Sequence, residues 1–271
     1  MTTVLLGAAV ALLLTMNAMF VVNMRANDNS LIDVAYGPAF ILASAGAWLA
    51  GGMPDHFRIL LMLGMVCLWG VRLALHIGLR HRGRGEDFRY RNFREAWGED
   101  FVWRSFLQIN MLQGAVILVV ATPILLVIAR PGGEPAWTDA LGLALFALGF
   151  FFEAVGDWQL MRFKKDPANK GRIMTLGLWR YTRHPNYFGE AVLWWGIFFV
   201  GLASPLGLFG LISPLVIGFL LLKVSGVPML EARYGGNPEF EAYKEATSAF
   251  IPRPPRQPAA APSVPEQGEE P

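Results

Sequence analysis

The sequence predicts an all-α integral membrane protein that crosses the bilayer about seven times. Three observations support this fold class: an excess of hydrophobic residues, apolar runs long enough to span a membrane, and basic residues concentrated in alternate connections. Hydrophobic residues make up 54% and charged residues 16% of the 271-residue chain. Because soluble domains carry about 25% charged residues, this chain lacks the polar surface of a water-soluble globule.

Seven apolar runs are long enough to be membrane-spanning helices. A bilayer core requires about 20 mostly apolar residues in helical form, and lipid allows only helices and closed barrels as spanning structures. The runs lack the alternation that indicates strands. The first run has no basic leader and no small-residue cleavage site, so we expect a retained helix rather than a signal peptide. The predicted spans are residues 4–24, 31–50, 59–79, 106–129, 141–160, 187–203 and 206–224.

Basic residues set the predicted orientation of the spans. They crowd the third-to-fourth and fifth-to-sixth connections, whereas Arg130 is the only basic residue between the fourth and fifth spans. Because Lys and Arg accumulate on the cytoplasmic side, the N-terminus is predicted outside and the C-terminus in the cytoplasm. The formal net charge of +2 is too small to indicate a nucleic-acid partner. Residues 254–271 are rich in Pro, Ala and Glu and are predicted to be a disordered tail.

The densest polar segment lies at the entrance to the sixth span, where residues 180–190 have the sequence RYTRHPNYFGE. Pro185 is compatible with the first turn of a helix, and Asn186 and Glu190 would then share one helix face. A carboxylate within an apolar run most often faces a cavity or a partner. The exposed N–H groups of a helix start favour an anionic ligand such as phosphate. The basic side chains beside it are Arg180, Arg183 and His184.

Four short segments carry a resemblance to a known family: TLGLWR at 175–180, NYFGE at 186–190, FEAY at 240–243 and AFIP at 249–252. Over residues 153–252 the chain resembles the C-terminal half of the membrane steroid 5α-reductase family, and more closely its bacterial DUF1295 branch. The resemblance implies that this half binds NADPH. The cofactor contacts that it implies are Asp157, Lys164, Asn186, Tyr187, Glu190, Tyr234 and Tyr243. Arg180 and Arg183 are added because guanidinium groups bind phosphate oxygens well, and His184 lies between Arg183 and the helix start.

The chain is accordingly divided into a lipid-substrate half, 1–129, and a cofactor-binding half, 130–253. The Gln-Glu pair that the steroid enzymes present to the substrate ketone is missing from the N-terminal half. Asp33 and Tyr36, three residues apart on the second helix, are the predicted catalytic residues, because a neutral Asp or a Tyr hydroxyl can polarise an enone carbonyl. Alternatively, Asp33 forms an ion pair with Arg72 that locks two helices together.

Two further features have alternative interpretations. The arginine-rich connection at 80–90 either contacts anionic lipid headgroups or closes over the phosphates of the cofactor. The sequence Arg-His-Pro-Asn-Tyr at 183–187 is also similar to the sterol C14-reductase and isoprenylcysteine methyltransferase families. Four scattered histidines and a single cysteine predict no metal site.

These observations predict a multi-pass enzyme of the bacterial inner membrane that uses NADPH to reduce a carbon–carbon double bond conjugated to a carbonyl in a steroid-like or isoprenoid lipid. The oligomeric state is left open. The alternative enzyme is an S-adenosylmethionine-dependent methyltransferase of the isoprenylcysteine type. A non-enzymatic helper or a transporter is a third hypothesis, although a transporter is expected to contain paired repeats.

Overall fold

The computed structural model describes residues 1–256, and within them it contains helices and turns but no strand. This confirms the predicted all-α class. The predicted tail begins at residue 254, so all but its first three residues lie outside the described part of the chain. The α-helices are α1 (Thr2–Ala26), α2 (Leu31–Ala50), α3 (Phe57–His81), α4 (Phe88–Trp97), α5 (Phe101–Arg104), α6 (Leu112–Val120), α7 (Thr122–Ala129), α8 (Trp137–Lys165), α9 (Pro185–Leu202), α10 (Ile212–Phe219), α11 (Val227–Ala232) and α12 (Pro238–Ala246).

Six helical stretches of the described chain are long and apolar enough to cross a membrane: α1, α2, α3, Phe88–Val120, α8 and Gly207–Ala232. The remaining predicted span corresponds to α9, which has 18 residues. Its first two turns contain Pro185 and the polar residues Asn186 and Glu190. These residues lower the mean hydropathy of α9 below that of the other six stretches. The predicted orientation of the termini remains a prediction.

The fourth predicted span differs from the structure at both ends. The helical stretch starts at Phe88 rather than at residue 106, because α4 is formed by the second part of the arginine-rich connection. It contains a π-helical segment, Ser105–Met111. It ends at Val120, since Pro123 lacks the N–H that a continuous helix needs, and α7 begins as a separate helix at Thr122.

Glycines allow the principal helix pairs to approach closely. A Cβ atom at Gly37 of α2 would collide with the backbone of Gly70 in α3, and one at Gly142 of α8 would lie 2.6 Å from the carbonyl oxygen of Gly196 in α9. Small residues at helix interfaces are typical of membrane bundles, where close packing replaces the hydrophobic effect. These contacts hold α2 against α3 and α8 against α9, and the last turns of α3 and α8 meet at the start of α9.

A buried ion pair joins α3 to α8 at the opposite end of the bundle. The Arg58 guanidinium is fully buried and donates to both carboxylate oxygens of Asp139, at 2.8 Å each. It also donates to the carbonyl oxygens of Pro131 and Glu134 in the preceding connection. All three guanidinium nitrogens therefore have acceptors, as a buried charge requires.

Candidate functional site

A buried network of charged side chains connects α3, α8 and α9. Arg72 Nη1 donates to Glu153 Oε1 at 2.5 Å, and Arg72 Nη2 donates to the Glu153 carbonyl oxygen at 3.0 Å and to Asp157 Oδ2. His76 Nε2 lies 3.5 Å from the same Asp157 oxygen. From α9, Asn186 Nδ2 donates to Asp157 Oδ1 at 3.0 Å. Glu153 and Asp157 are only 3% and 7% exposed, so this charge lies inside the bundle.

Acidic groups outnumber cationic ones in this network. Glu190 lies one turn beyond Asn186 on α9 and is within electrostatic range of Arg72 and Asp157. Arg72 thus forms ion pairs with Glu153 and Asp157, and Glu190 lies near the same guanidinium without a hydrogen bond to it. An uncompensated buried carboxylate is costly, so the site favours a bound group that carries or gains positive charge.

Several polar atoms in this region lack a hydrogen-bond partner within residues 1–256. They include two acceptors, Glu153 Oε2 and Asn186 Oδ1, and two indole N–H donors, those of Trp69 and Trp194. Buried polar atoms are usually satisfied by protein, water or a ligand. The two acceptors belong to the charged network itself, so they could receive hydrogen bonds from a bound amide.

Four aromatic rings pack beside the network, between α2, α3 and α9. The Phe40 ring centroid lies 5.2 Å from that of Tyr36, 5.3 Å from that of Trp69 and 5.0 Å from that of Trp194. Tyr36 is half-buried and lies within electrostatic range of Glu190 and Asp33. Its hydroxyl forms no hydrogen bond with the described residues, so it is free to donate one to a ligand.

The other predicted catalytic residue, Asp33, is engaged by α4. Arg89 Nη2 donates to Asp33 Oδ2 at 2.6 Å, and the Tyr90 hydroxyl donates to Asp33 Oδ1 at 2.7 Å. The Asp33–Arg72 pair considered above is therefore not formed, because Arg72 pairs with α8 instead. Both Asp33 oxygens are occupied as acceptors, whereas the Tyr36 hydroxyl is not.

The arginine-rich connection is ordered and continues into α4. We call this segment, residues 80–97, the cover. Arg94 donates to both oxygens of Glu86, which also accepts from the Asn29 backbone N–H at 2.8 Å. Asp87 caps α4 by accepting from the Arg89 N–H at 3.1 Å. Burial raises the pKa of Asp87, but the hydrogen bonds and charge of Arg89 outweigh that effect and leave the pKa below its ordinary value. The cover is thus fastened to the α1–α2 turn.

Four basic side chains from three segments lie beside this cover. Lys164, at the end of α8, is within electrostatic range of the guanidinium groups of Arg80, Arg84 and Arg233. Within the described chain, none of the four has a carboxylate oxygen within 4.0 Å. Mutually repelling cations without anionic partners suit a polyanion. We call Arg80, Arg84, Lys164 and Arg233 the basic cluster.

Arg183 and Tyr243 hold the C-terminal segment in place. Arg183 Nε donates to Glu231 at 2.9 Å, and Arg183 Nη1 donates to the carbonyl oxygens of Lys244 and Thr247 at 3.2 and 2.5 Å. The Tyr243 hydroxyl donates to the Trp179 carbonyl oxygen. Burial raises the pKa of Tyr243 well above its ordinary value, which preserves this donor. The donors of Arg183 are consumed within the protein, not offered to solvent.

The remaining predicted contacts fall in different places. The His184 ring stacks on Tyr187, with centroids 5.5 Å apart, and its Nε2 lies 3.0 Å from Glu231. Arg180 is exposed. Tyr234 packs on Phe240, with ring centroids 5.1 Å apart. The structure thus brings Asp157, Asn186 and Glu190 together, and it does not bring Arg180 or Tyr234 to the network.

Two central residues were not among the predicted site residues. Glu153 was overlooked, and Arg72 was considered only as a partner of Asp33. The signal for Glu153 was available, because Glu153 and Asp157 are four residues apart directly after the apolar run at 140–152. Acidic residues on one face of a membrane helix usually face the bundle interior.

Comparison with known proteins places this site in context. A family model described as a protein of unknown function, DUF1295, matches residues 19–247. An uncharacterised protein of Schizosaccharomyces pombe is 26% identical over 168 residues, which are 53% of this chain and 48% of that protein. A probable O-methyltransferase of Ustilaginoidea virens is 35% identical over 98 residues, 34% of each chain. The matches thus span about half or less of these relatives. No solved structure matches.

Proposed function

Because the chain belongs to the DUF1295 family, which is associated with steroid 5α-reductase-like membrane proteins, we propose that it is a membrane-embedded reductase that uses NADPH. Its substrate would be a steroid-like or isoprenoid lipid containing a carbon–carbon double bond conjugated to a carbonyl. Family membership confirms the resemblance that the motifs at 175–190 and 240–252 indicate. The cofactor and the reaction are the proposal.

The surplus of carboxyl groups, two of them buried and Glu190 partly buried, is the observation that carries this proposal. Glu153 and Asp157 form ion pairs with one guanidinium, and Glu190 lies near it. Such a site favours a bound group that becomes more positive during the reaction, as nicotinamide does when it gives up a hydride, over one that loses positive charge, as a sulfonium does when its methyl group leaves. The same network would attract a sulfonium in the ground state, so its charge balance supports hydride transfer over methyl transfer only in the transition state.

The basic cluster supports a phosphorylated cofactor. Pyrophosphate and a 2′-phosphate together carry several negative charges, and the basic cluster offers four cations without carboxylate partners. S-adenosylmethionine contains no phosphate and would leave these cations without an anion. Lys164 is the predicted cofactor contact that falls in this cluster, whereas Arg183 is occupied elsewhere.

The unpartnered acceptors fit a nicotinamide carboxamide. Within residues 1–256, Asn186 Oδ1 is buried without a donor and Glu153 Oε2 has only the indole N–H of Trp69 nearby, and a carboxamide nitrogen offers two N–H groups. Asn186 is held in place by its hydrogen bond to Asp157. The residues present therefore fit the amide end of NADPH as well as its phosphate end.

Tyr36 is the group that would polarise the substrate carbonyl. Its hydroxyl is free of hydrogen bonds to the described residues, while its ring is fixed by edge contacts with Phe40 and Trp69. A donor that is already oriented stabilises the negative charge that develops on a carbonyl oxygen. Asp33 accepts hydrogen bonds from Arg89 and Tyr90, so it would hold α4 in position rather than contact the substrate.

An S-adenosylmethionine-dependent methyltransferase is the second candidate, and the probable O-methyltransferase relative favours it. A binding comparison separates the two. Wild-type protein in detergent should bind NADPH more tightly than S-adenosylmethionine in calorimetric titrations. Glu190→Gln should weaken NADPH binding through the network, and Lys164→Gln should weaken it through the phosphates. Arg104→Gln, which removes an exposed cation paired with Asp100, is the matched control. Tighter binding of S-adenosylmethionine, weakened by Glu190→Gln, would reject the reductase.

A further inference from the structure

A cleft on the outside of α8 lies away from the buried network. It has a volume of about 390 Å³ and lies between the last turns of α8 and the connection that follows them. Its lining combines apolar side chains, among them Trp158, Met174 and Leu176, with the charged side chains of Arg162 and Asp166. Trp158 is 51% and Leu176 65% exposed, so large apolar surfaces border the opening.

The walls of the cleft are fixed by hydrogen bonds. Asn169 Nδ2 donates to the Phe163 carbonyl oxygen at 3.1 Å, and the Leu178 N–H donates to Gln159 Oε1 at 3.0 Å. Gly177 has a φ of 62°, and a Cβ atom there would lie 2.5 Å from Gln159 Nε2. These contacts fix the distance between the connection and α8, and therefore the width of the cleft.

Basic residues outnumber acidic ones in and beside the cleft, although its own lining holds one of each, Arg162 and Asp166. Arg162 lies over the Trp158 ring, with Cζ 5.6 Å from the centroid, and within the described chain it has no carboxylate partner. Three further exposed basic residues, Lys165, Lys170 and Arg172, lie in the same stretch of the chain as the cleft, although they do not line it. Tryptophan and arginine at the end of a span mark the headgroup level of the bilayer, and basic residues there attract anionic lipids.

We propose that this cleft binds one anionic phospholipid. The headgroup phosphate would pair with Arg162, and an acyl chain would lie across Trp158 and Leu176 towards the exposed Phe151, which is two turns earlier on the same face of α8. Arg162 would thus contact both the phosphate and the indole ring. The site is separate from the proposed NADPH site and does not depend on it.

Fluorescence quenching in reconstituted vesicles tests this inference. Vesicles of phosphatidylcholine are prepared with an equal mole fraction of brominated phosphatidylglycerol or brominated phosphatidylcholine, since bromine quenches adjacent tryptophans. We expect the anionic lipid to quench more strongly. Trp158→Phe should remove this excess, and Arg162→Gln should reduce it several-fold.

The chain offers a closely matched control. Trp103 is also 51% exposed, and Arg104 Cζ lies 5.4 Å from its ring centroid, but Arg104 pairs with Asp100 at 3.0 Å. Trp103→Phe and Arg104→Gln should therefore keep the excess quenching. Equal quenching by the two brominated lipids would overturn the proposal, as would an excess that survives Trp158→Phe. Adding NADPH should leave the excess unchanged, which separates this outcome from that of the proposed function.

Discussion

Gly149 of α8 and Gly189 of α9 face each other so closely that a Cβ atom on either would lie 2.5 Å from the carbonyl oxygen of the other. This contact sits one turn from Glu153 on α8 and one residue before Glu190 on α9. The separation of the two helices at this point therefore sets the separation of two carboxyl groups of the network. A change in the packing of α8 against α9 at these glycines would therefore also change the electrostatic interaction between Glu153 and Glu190.

Gly189→Ala tests that coupling. A Cβ atom at residue 189 would also collide with the backbone nitrogen of Glu153, so α8 and α9 must move apart. Overpacking of this kind costs about 1–3 kcal/mol. We expect a lower midpoint of thermal unfolding in detergent and weaker NADPH binding. Gly64→Ala on α3 is the control, because nothing lies within 4 Å of its Cβ position. Unchanged binding in Gly189→Ala would show that the helix separation does not set the network.

Arg72→Gln should be among the most destabilising changes in the described bundle. Removing the guanidinium leaves Glu153 and Asp157 buried without their cation, and breaking a buried ion pair by removing one partner costs about 3–5 kcal/mol. Denaturant titration of the purified protein measures this loss. Arg104→Gln removes an exposed pair worth about 0–1 kcal/mol. If the two variants unfold at the same denaturant concentration, the network contributes nothing to stability.

The apolar runs and the placement of basic residues were sufficient to predict an all-α membrane bundle. They did not predict α4, although Tyr90, Phe93 and Trp97 recur at the i, i+3, i+7 spacing of one helix face, because the segment was interpreted from its arginines alone. The break at Pro123 was also missed, since proline is tolerated inside membrane helices and its effect depends on neighbours.

The candidate site was predictable where its residues are adjacent in sequence. Asn186 and Glu190 lie four residues apart at a helix start, and this spacing alone places them on one face. Arg72 pairs with residues more than 80 positions away in sequence, and such pairing depends on which helices become neighbours. The choice between Asp33 and Glu153 as its partner could not be made from spacing.

Arg183→Gln should release the C-terminal segment. The variant loses hydrogen bonds to Glu231, Lys244 and Thr247, and each hydrogen bond to a charged group is worth about 1.5–3 kcal/mol. Faster hydrogen exchange across residues 238–250 is the expected result, measured by mass spectrometry. Arg180→Gln removes an exposed arginine three residues away and should leave exchange unchanged. A variant that exchanges normally but loses NADPH affinity would instead support the phosphate role first predicted for Arg183.

Tyr36→Phe should remove turnover while leaving the bundle intact. The ring would keep its contacts with Phe40 and Trp69, and the hydroxyl forms no hydrogen bond with the described residues, so little stability is lost. If this hydroxyl polarises the substrate carbonyl, its loss should lower kcat by about 10²–10⁴-fold, with an unchanged Kd for NADPH. Oxidation of NADPH in the presence of enone lipids measures turnover. Tyr90→Phe is the matched control: it removes one donor to Asp33 and should reduce turnover far less. Equal losses in the two variants would show that the hydroxyl of Tyr36 has no special part in the reaction.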